Sequence, residues 1–276
     1  MYRYGSTDRP DLSLAVVIGA GAMGSAVAAR LAQSHRVLLA DLDGAKAETT
    51  AAALRQGGAD AAAIACDVTS AASVSALAAE VAARGGLGVL AHVAGLSPSL
   101  ADYATIMRVN LMGPALVAEA LLPLSRQGSA AILIASLAAH SYQPSAEALQ
   151  VLASPAAPDL AERLAAALGE DATPAMAYTH SKHGLLLYAR RQAAAWGARG
   201  ARIVTLSPGL IATPQGALEF ANSEGKRRMF AASPLAREGT MLEIVDAVEF
   251  LASPRASFIS GTDLLVDGGL AGTLFG

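Results

Sequence analysis

Runs of consecutive apolar residues, rather than strictly alternating ones, recur along the chain at 13–18, 36–40, 61–66, 89–93, 130–135, 202–206 and 263–266. Strands with this pattern have both faces covered, as in a parallel sheet sandwiched between helices. Ala-rich segments lie between them at 44–55, 71–83, 103–123 and 181–196. That alternation predicts crossover helices on both sides of the sheet. No internal repeat and no Pro/Gly/Ser-rich linker divides the chain. The prediction is one doubly wound α/β domain of about seven parallel strands over 12–276, with a flexible tail at 1–11.

Two stretches break the alternation. Residues 141–174 are polar and interrupted by Pro144, Pro155, Pro158 and Pro174, with a helical piece expected at 159–168 under an Asp159 cap. Residues 214–237 are long, charged and uneven. Loops of such length in a compact domain are usually lids or interfaces. The apolar stretch 12–31 is interrupted by Gly19, Gly21, Gly24 and Ser25. It suits a buried strand, turn and helix better than a membrane span, and the polar first residues lack the apolar core of a secretory signal. The expected compartment is the cytoplasm.

Composition narrows the function class. Of 276 residues 53% are apolar, enough for a sizeable core, and the net charge of −3 offers no positive field for nucleic acid or anionic membranes. Small-molecule chemistry is favoured. Cys66 is the single cysteine, so the chain can hold neither an internal disulfide nor a multi-cysteine metal site, and Cys66 reads as a buried strand residue. No metal is expected.

After the first strand comes Gly19-Ala20-Gly21-Ala22-Met23-Gly24, a GxGxxG run opening directly into helical sequence. Glycines there permit a tight turn and close backbone approach, and the free N–H groups at a helix start suit a pyrophosphate. This is the setting of a Rossmann-like dinucleotide site. Asp41 closes the second strand 17 residues beyond Gly24, where an acid can hold the adenosine ribose hydroxyls, with Leu42 beside it. A carboxylate about 4 Å from a 2′-phosphate would repel it by roughly 4 kcal/mol at an effective dielectric of 20. Asp41 therefore favours NAD over NADP. No Arg or Lys directly follows it, Lys46 being the nearest downstream, and Asp43 in the same turn can share or take its role.

Tyr178 and Lys182 stand four apart at the start of a predicted helix, so both side chains emerge on one face. Lowering a phenol pKa by about three units takes roughly 4 kcal/mol of preferential phenolate stabilisation. An ammonium about 4 Å away supplies that order of energy, and an oxidised nicotinamide adds positive charge. Tyr178 can then act as a base near neutral pH.

The order of GxGxxG, Asp41, Cys66-Asp67-Val68, Ala94-Gly95, Val109-Asn110, Ile134-Ala135-Ser136, Tyr178-x-x-x-Lys182 and Ser207-Pro208-Gly209 followed by Thr213 resembles the short-chain dehydrogenase/reductase family across nearly the whole chain. The resemblance implies direct hydride transfer between a substrate carbon and nicotinamide. It gives Ser136 a hydrogen bond to the substrate oxygen, Tyr178 the proton, Lys182 the nicotinamide ribose and the bias on Tyr178, and Asn110 a water in the proton relay. Asp67 and Val68 become adenine contacts, Ala94 and Gly95 the wall beside the cofactor, and Pro208, Gly209, Ile211 and Thr213 the nicotinamide clamp. Taken singly, Asn110 and Asp67 equally suit ordinary helix or loop hydrogen bonds.

Three departures qualify the match. The family's usual TGxxxGxG has Ile18 in place of its Thr, with the glycine spacing of larger two-domain dehydrogenases. The usual NNAG reads His92-Val93-Ala94-Gly95, and His92 is expected to be a buried, paired, structural histidine. Ser136 and Tyr178 are 42 positions apart, far more than the family typically uses. Such an insertion is similar to that of bacterial 3α-hydroxysteroid dehydrogenase/carbonyl reductases, where it alters subunit association. That implies a homodimer whose usual four-helix interface is blocked; a surface excursion without consequence is the alternative.

Leu218, Phe220, Met229 and Phe230, if they close over the site rather than simply pack, point to an apolar secondary alcohol or ketone, 3α-hydroxysteroids among them. Three residues between Tyr and Lys favour carbonyl over enoyl reduction, and the early end of the chain disfavours a sugar-nucleotide epimerase. From a different class, a catalytically silent dinucleotide sensor would keep the fold without turnover, against which stand intact Ser136, Tyr178 and Lys182.

Overall fold

The computed structural model describes residues 11–213 and 224–276; the tail expected at the N-terminus lies almost wholly outside them, as do Leu218 and Phe220. The predicted strands form one seven-stranded parallel sheet in the order β3-β2-β1-β4-β5-β6-β7. They are β1 (Leu14–Ile18), β2 (Arg36–Asp41), β3 (Ala61–Ala65), β4 (Leu87–His92), β5 (Ser125–Ile134), β6 (Arg202–Pro208) and β7 (Asp263–Val266). The strand order reverses between β1 and β4, which pair from Ala15↔Val89 to Ile18↔His92. A crevice opens at such a switch point beyond the carboxyl ends of the strands. β5 begins earlier than the sequence pattern predicts, and the β4–β5 register shifts between Leu87 and Val89.

Helices cover both faces, and successive side chains along each strand enter one of two cores. Val16, Leu38, Leu90 and Leu133 pack beneath one helical layer, and Val17, Leu39, Ala91 and Ile132 beneath the other. The second layer contains α1 (Ala22–Leu31) and α2 (Gly44–Gln56). The first contains α3 (Ala71–Ala83), α4 (Tyr103–Met107), α5 (Gly113–Leu121) and, after the insertion helices α6 (Ala146–Val151) and α7 (Leu160–Leu168), the long α8 (Pro174–Gly197). The chain continues through α9 (Glu224–Ala231), α10 (Met241–Ala252) and α11 (Leu270–Phe275). α10 starts with a capping box between Thr240 and Glu243.

Several boundaries depart from expectation for local reasons. The helix predicted over 103–123 is interrupted by a π-helical turn, Arg108–Met112, in which Gly113 N–H reaches the Arg108 carbonyl five residues back. Pro114 has no N–H to offer the Asn110 carbonyl four residues back, so regular α pairing fails there. The 22-residue stretch Tyr103–Leu124 is long and apolar enough to cross a membrane, yet 56% of its 18-residue apolar window is buried within the fold. α8 begins at Pro174 rather than 181, because proline suits the first helical position and the Thr173 side chain accepts from Met176 N–H at 3.3 Å. The Asp159 cap of α7 does not form. Its backbone (φ −94°, ψ 11°) is not extended, and its carboxylate instead faces Arg163 at 3.7 Å.

Candidate active site

The glycine turn follows β1 and is held from below. Gly19 N–H donates to the Ala40 carbonyl at 2.7 Å, and Ala94 N–H to Ile18 at 2.8 Å. A Cβ at Gly24 would stand 1.8 Å from the Gly19 carbonyl oxygen, so only glycine allows this crossing. A Cβ at Gly21 would meet nothing within 4 Å, which leaves open space in front of the helix start. No side chain caps α1 and its first turn carries no acid, so its N-terminal N–H groups and positive dipole end face that space.

A cleft of about 840 Å³ runs from this turn across the strand ends. Gly19, Gly21, Ala22, Met23 and Gly24 line one part, with Asp41, Leu42, Asp67 and Val68 at one end. Asp41 is fixed by two backbone donors, Ala20 N–H to Oδ2 at 2.5 Å and Asp43 N–H to Oδ1 at 2.9 Å. Asp43 does not line the cleft, and its carboxylate caps α2 through Ala45 and Lys46 N–H, both at 3.0 Å. Leu42 is 74% exposed beside the cleft, an apolar surface suited to a flat ring. Asp67 Oδ1 accepts from Thr69 N–H at 2.9 Å and Thr69 Oγ1 at 2.7 Å, closing the loop that borders the cleft there. Cys66 is buried just past β3 and also borders the cleft.

Ala94, Gly95, Ser136, Tyr178, Lys182, Pro208, Gly209, Ile211 and Thr213 line the other part of the same cleft. Ser136 follows β5 and opens a 3₁₀ turn, Leu137–His140, its Oγ accepting from Ala138 N–H at 3.2 Å. Lys182 is 5% exposed, donates from Nζ to the Ile134 carbonyl at 2.9 Å and lies 5.7 Å from the Tyr178 ring centroid. Burial pushes its ammonium down to about 8. Asn110 does not line the cleft. It is wholly buried in the π turn behind it, where its side chain accepts from Leu96 N–H at 2.7 Å and donates to the Leu96 carbonyl at 2.9 Å. A Cβ on Gly95 would lie 3.3 Å from Asn110 Oδ1 and 3.4 Å from Lys182 Nζ, so the three are packed together.

His92 is buried as expected and paired only in part: the ring hydrogen-bonds its own backbone, while its Nε2 has no hydrogen-bond partner. Burial, and then the positive Lys182, push it down to about 3, so it is neutral. Leu96, Ser97, Thr105, Leu210, Lys226, Glu238 and Met241 also line the cleft, and sequence spacing gave no sign of them.

The sequence model of a family described as enoyl-(acyl carrier protein) reductase matches residues 19–173 and 164–271. A short-chain dehydrogenase/reductase, bsc3, of Alternaria brassicicola is 31% identical, over 93% of this chain and 95% of its own. The D-threitol dehydrogenase of Mycolicibacterium smegmatis is 33% identical, over 95% and 94% respectively. The 3-alpha-hydroxysteroid dehydrogenase/carbonyl reductase of Comamonas testosteroni is 31% identical, over 67% and 73%. With the parallel sheet, the glycine turn at its switch point and Tyr178 beside Lys182 in the same cleft, these likenesses place the chain in the short-chain dehydrogenase/reductase family, as an oxidoreductase that uses a nicotinamide dinucleotide to interconvert alcohols and ketones.

Proposed function

We propose that the protein is an NAD-dependent dehydrogenase of an apolar secondary alcohol, working through Ser136, Tyr178, Lys182 and Asn110. The observation that carries this reading is the presence of Ser136, Tyr178 and Lys182 in one cleft with the glycine turn and Asp41. The open face at Gly21 and the uncapped start of α1 suit the pyrophosphate, and Asp41 the ribose hydroxyls. Leu42, Asp67 and Val68 flank adenine, while Ala94, Gly95 and Pro208 through Thr213 border the nicotinamide. The bound dinucleotide supplies a hydride acceptor or donor.

Ser136 Oγ hydrogen-bonds the substrate oxygen and so orients the reacting carbon. Tyr178 takes the alcohol proton in oxidation and returns it in reduction. Lys182 holds the nicotinamide ribose and favours the ionised phenol. Asn110, clamped to Leu96 in the π turn, holds a water behind Lys182 for the proton's route to solvent. The preference for NAD rests on Asp41, fixed by Ala20 and Asp43 so that a 2′-phosphate would meet a carboxylate that cannot turn away.

Leu96, Val109, Leu210, Ile211 and Met241 give the cleft apolar walls, which suit a 3α-hydroxysteroid or another apolar carbonyl compound. We also read the protein as a cytoplasmic homodimer. α7 packs on α4, and Leu152 at the end of α6 lies against Gly184 of α8, so the insertion covers part of the face those helices would otherwise present to a second subunit.

The test is reduced-cofactor formation from NAD and from NADP with 3α-hydroxysteroids, simple secondary alcohols and polyols. Turnover of an apolar alcohol with NAD supports the reading; exclusive turnover of polyols, or with NADP, overturns its substrate or cofactor half.

A further inference from the structure

A hydrogen-bonded chain runs beside the cleft without entering it. Ser207 Oγ donates to Asp263 Oδ1 at 3.0 Å, and His140 Nε2 stands 2.9 Å from Asp263 Oδ2. The Asp263 side chain is only 6% exposed, and a carboxylate so deeply placed needs donors on both oxygens. His140 therefore carries its proton on Nε2 and donates it to Asp263.

His140 is the last residue of the 3₁₀ turn that Ser136 opens. At its first end the turn is tied to the sheet, since Ile134 pairs with Leu206 and Ala135 N–H donates to the Leu206 carbonyl at 2.8 Å. At its far end the ties are side chains: His140 to Asp263, and His183 Nδ1 of α8 to the Ala139 carbonyl at 3.0 Å. Ser207 adjoins Pro208 and Gly209, so one buried carboxylate joins the Ser136 turn to the strand that carries the nicotinamide clamp.

We infer that His140 is a positioning residue, holding the Ser136 turn against β6 and β7 through Asp263 so that Ser136 meets the substrate oxygen in register with the nicotinamide. His140 does not line the cleft and acts through Ser136 alone. The inference rests on the proposed role of Ser136.

Its test uses two amides of different reach. His140→Gln can place a donor where Nε2 now lies, and His140→Asn cannot; His140→Ala stands in if the asparagine variant does not fold. Hydrogen–deuterium exchange is followed over residues 136–142, with NADH affinity from nicotinamide fluorescence and turnover of secondary alcohols with NAD. His140→Asn should speed exchange in the turn about tenfold and lower kcat by about tenfold or more, with NADH affinity within about twofold. His140→Gln should restore both. Unchanged exchange in His140→Asn, a parallel loss of NADH affinity, or a glutamine variant as impaired as the asparagine one overturns the inference. Tyr178→Phe run alongside separates the two readings: if it stays active, the site assignment itself fails. If it is silent while His140→Asn is normal, only the role of His140 fails. Should no alcohol be turned over, exchange in the turn decides by itself.

Discussion

Lys182 Nζ lies 5.7 Å from the centre of the Tyr178 ring while donating a hydrogen bond to the Ile134 carbonyl at 2.9 Å. The ammonium is thus anchored to the sheet beside the phenol ring. A positive charge held this close to the ring favours the ionised form of the phenol.

Burying that ammonium has a cost that a substitution exposes. Its pKa falls from 10.5 to about 8, a cost of about 3 kcal/mol to the charged form relative to the unfolded chain, against about 1 kcal/mol for the bond to Ile134. Lys182→Met should lose turnover and yet be about 2 kcal/mol more stable at pH 7. Between pH about 8 and 10.5 the unfolded chain holds the lysine proton that the folded chain has lost, so the unaltered protein gains stability with pH and the gap closes. Urea denaturation of both proteins across this range checks the sign and the window.

His92 gives the opposite end of the pH scale. Its folded pKa of about 3, against 6.5, means that the unfolded chain alone takes up a proton as pH falls below 6.5, and stability is lost on the acid side. Relative to His92→Asn, the unaltered protein should lose about 3 kcal/mol between pH 7 and about 4.5. Parallel melting curves for the two proteins at each pH read this difference directly.

Much of this was legible in the chain. The seven apolar runs fall on the seven strands because buried parallel strands need no alternation, and the glycine turn, Asp41, Ser136, Tyr178 and Lys182 meet in one cleft because each follows or faces the carboxyl end of a strand. Proline was the main source of misplaced boundaries: Pro174 reads as a breaker yet starts α8, and Pro114 passes for an ordinary helical residue yet stands just after a π turn. The expected pairing of His92 holds only in part, because a burial pattern says nothing about whether Nε2 finds an acceptor or donor. His140 and Asp263 are 123 positions apart, and no local pattern links them.

Cofactor choice turns on Asp41. Asp41→Asn removes the charge while keeping an amide that can accept from Ala20 or Asp43. The ratio of kcat/KM with NADP to that with NAD should rise about a hundredfold, the repulsion at this partly exposed site being weaker than the full Coulomb value.

Gly24→Ala should be unable to keep the turn, since its methyl would occupy space 1.8 Å from the Gly19 carbonyl oxygen. A loss of about 1–3 kcal/mol in stability and a marked fall in NADH affinity are expected, measured by denaturation and nicotinamide fluorescence.

The central claim is that Tyr178 carries the proton in an alcohol–ketone exchange, and the most direct measurement compares Tyr178→Phe with the unaltered protein for NADH binding and for NAD reduction by secondary alcohols. The account predicts NADH affinity within about threefold and turnover lowered by about a thousandfold or more, the loss of a positioned proton carrier. Retained turnover in the phenylalanine variant would contradict it.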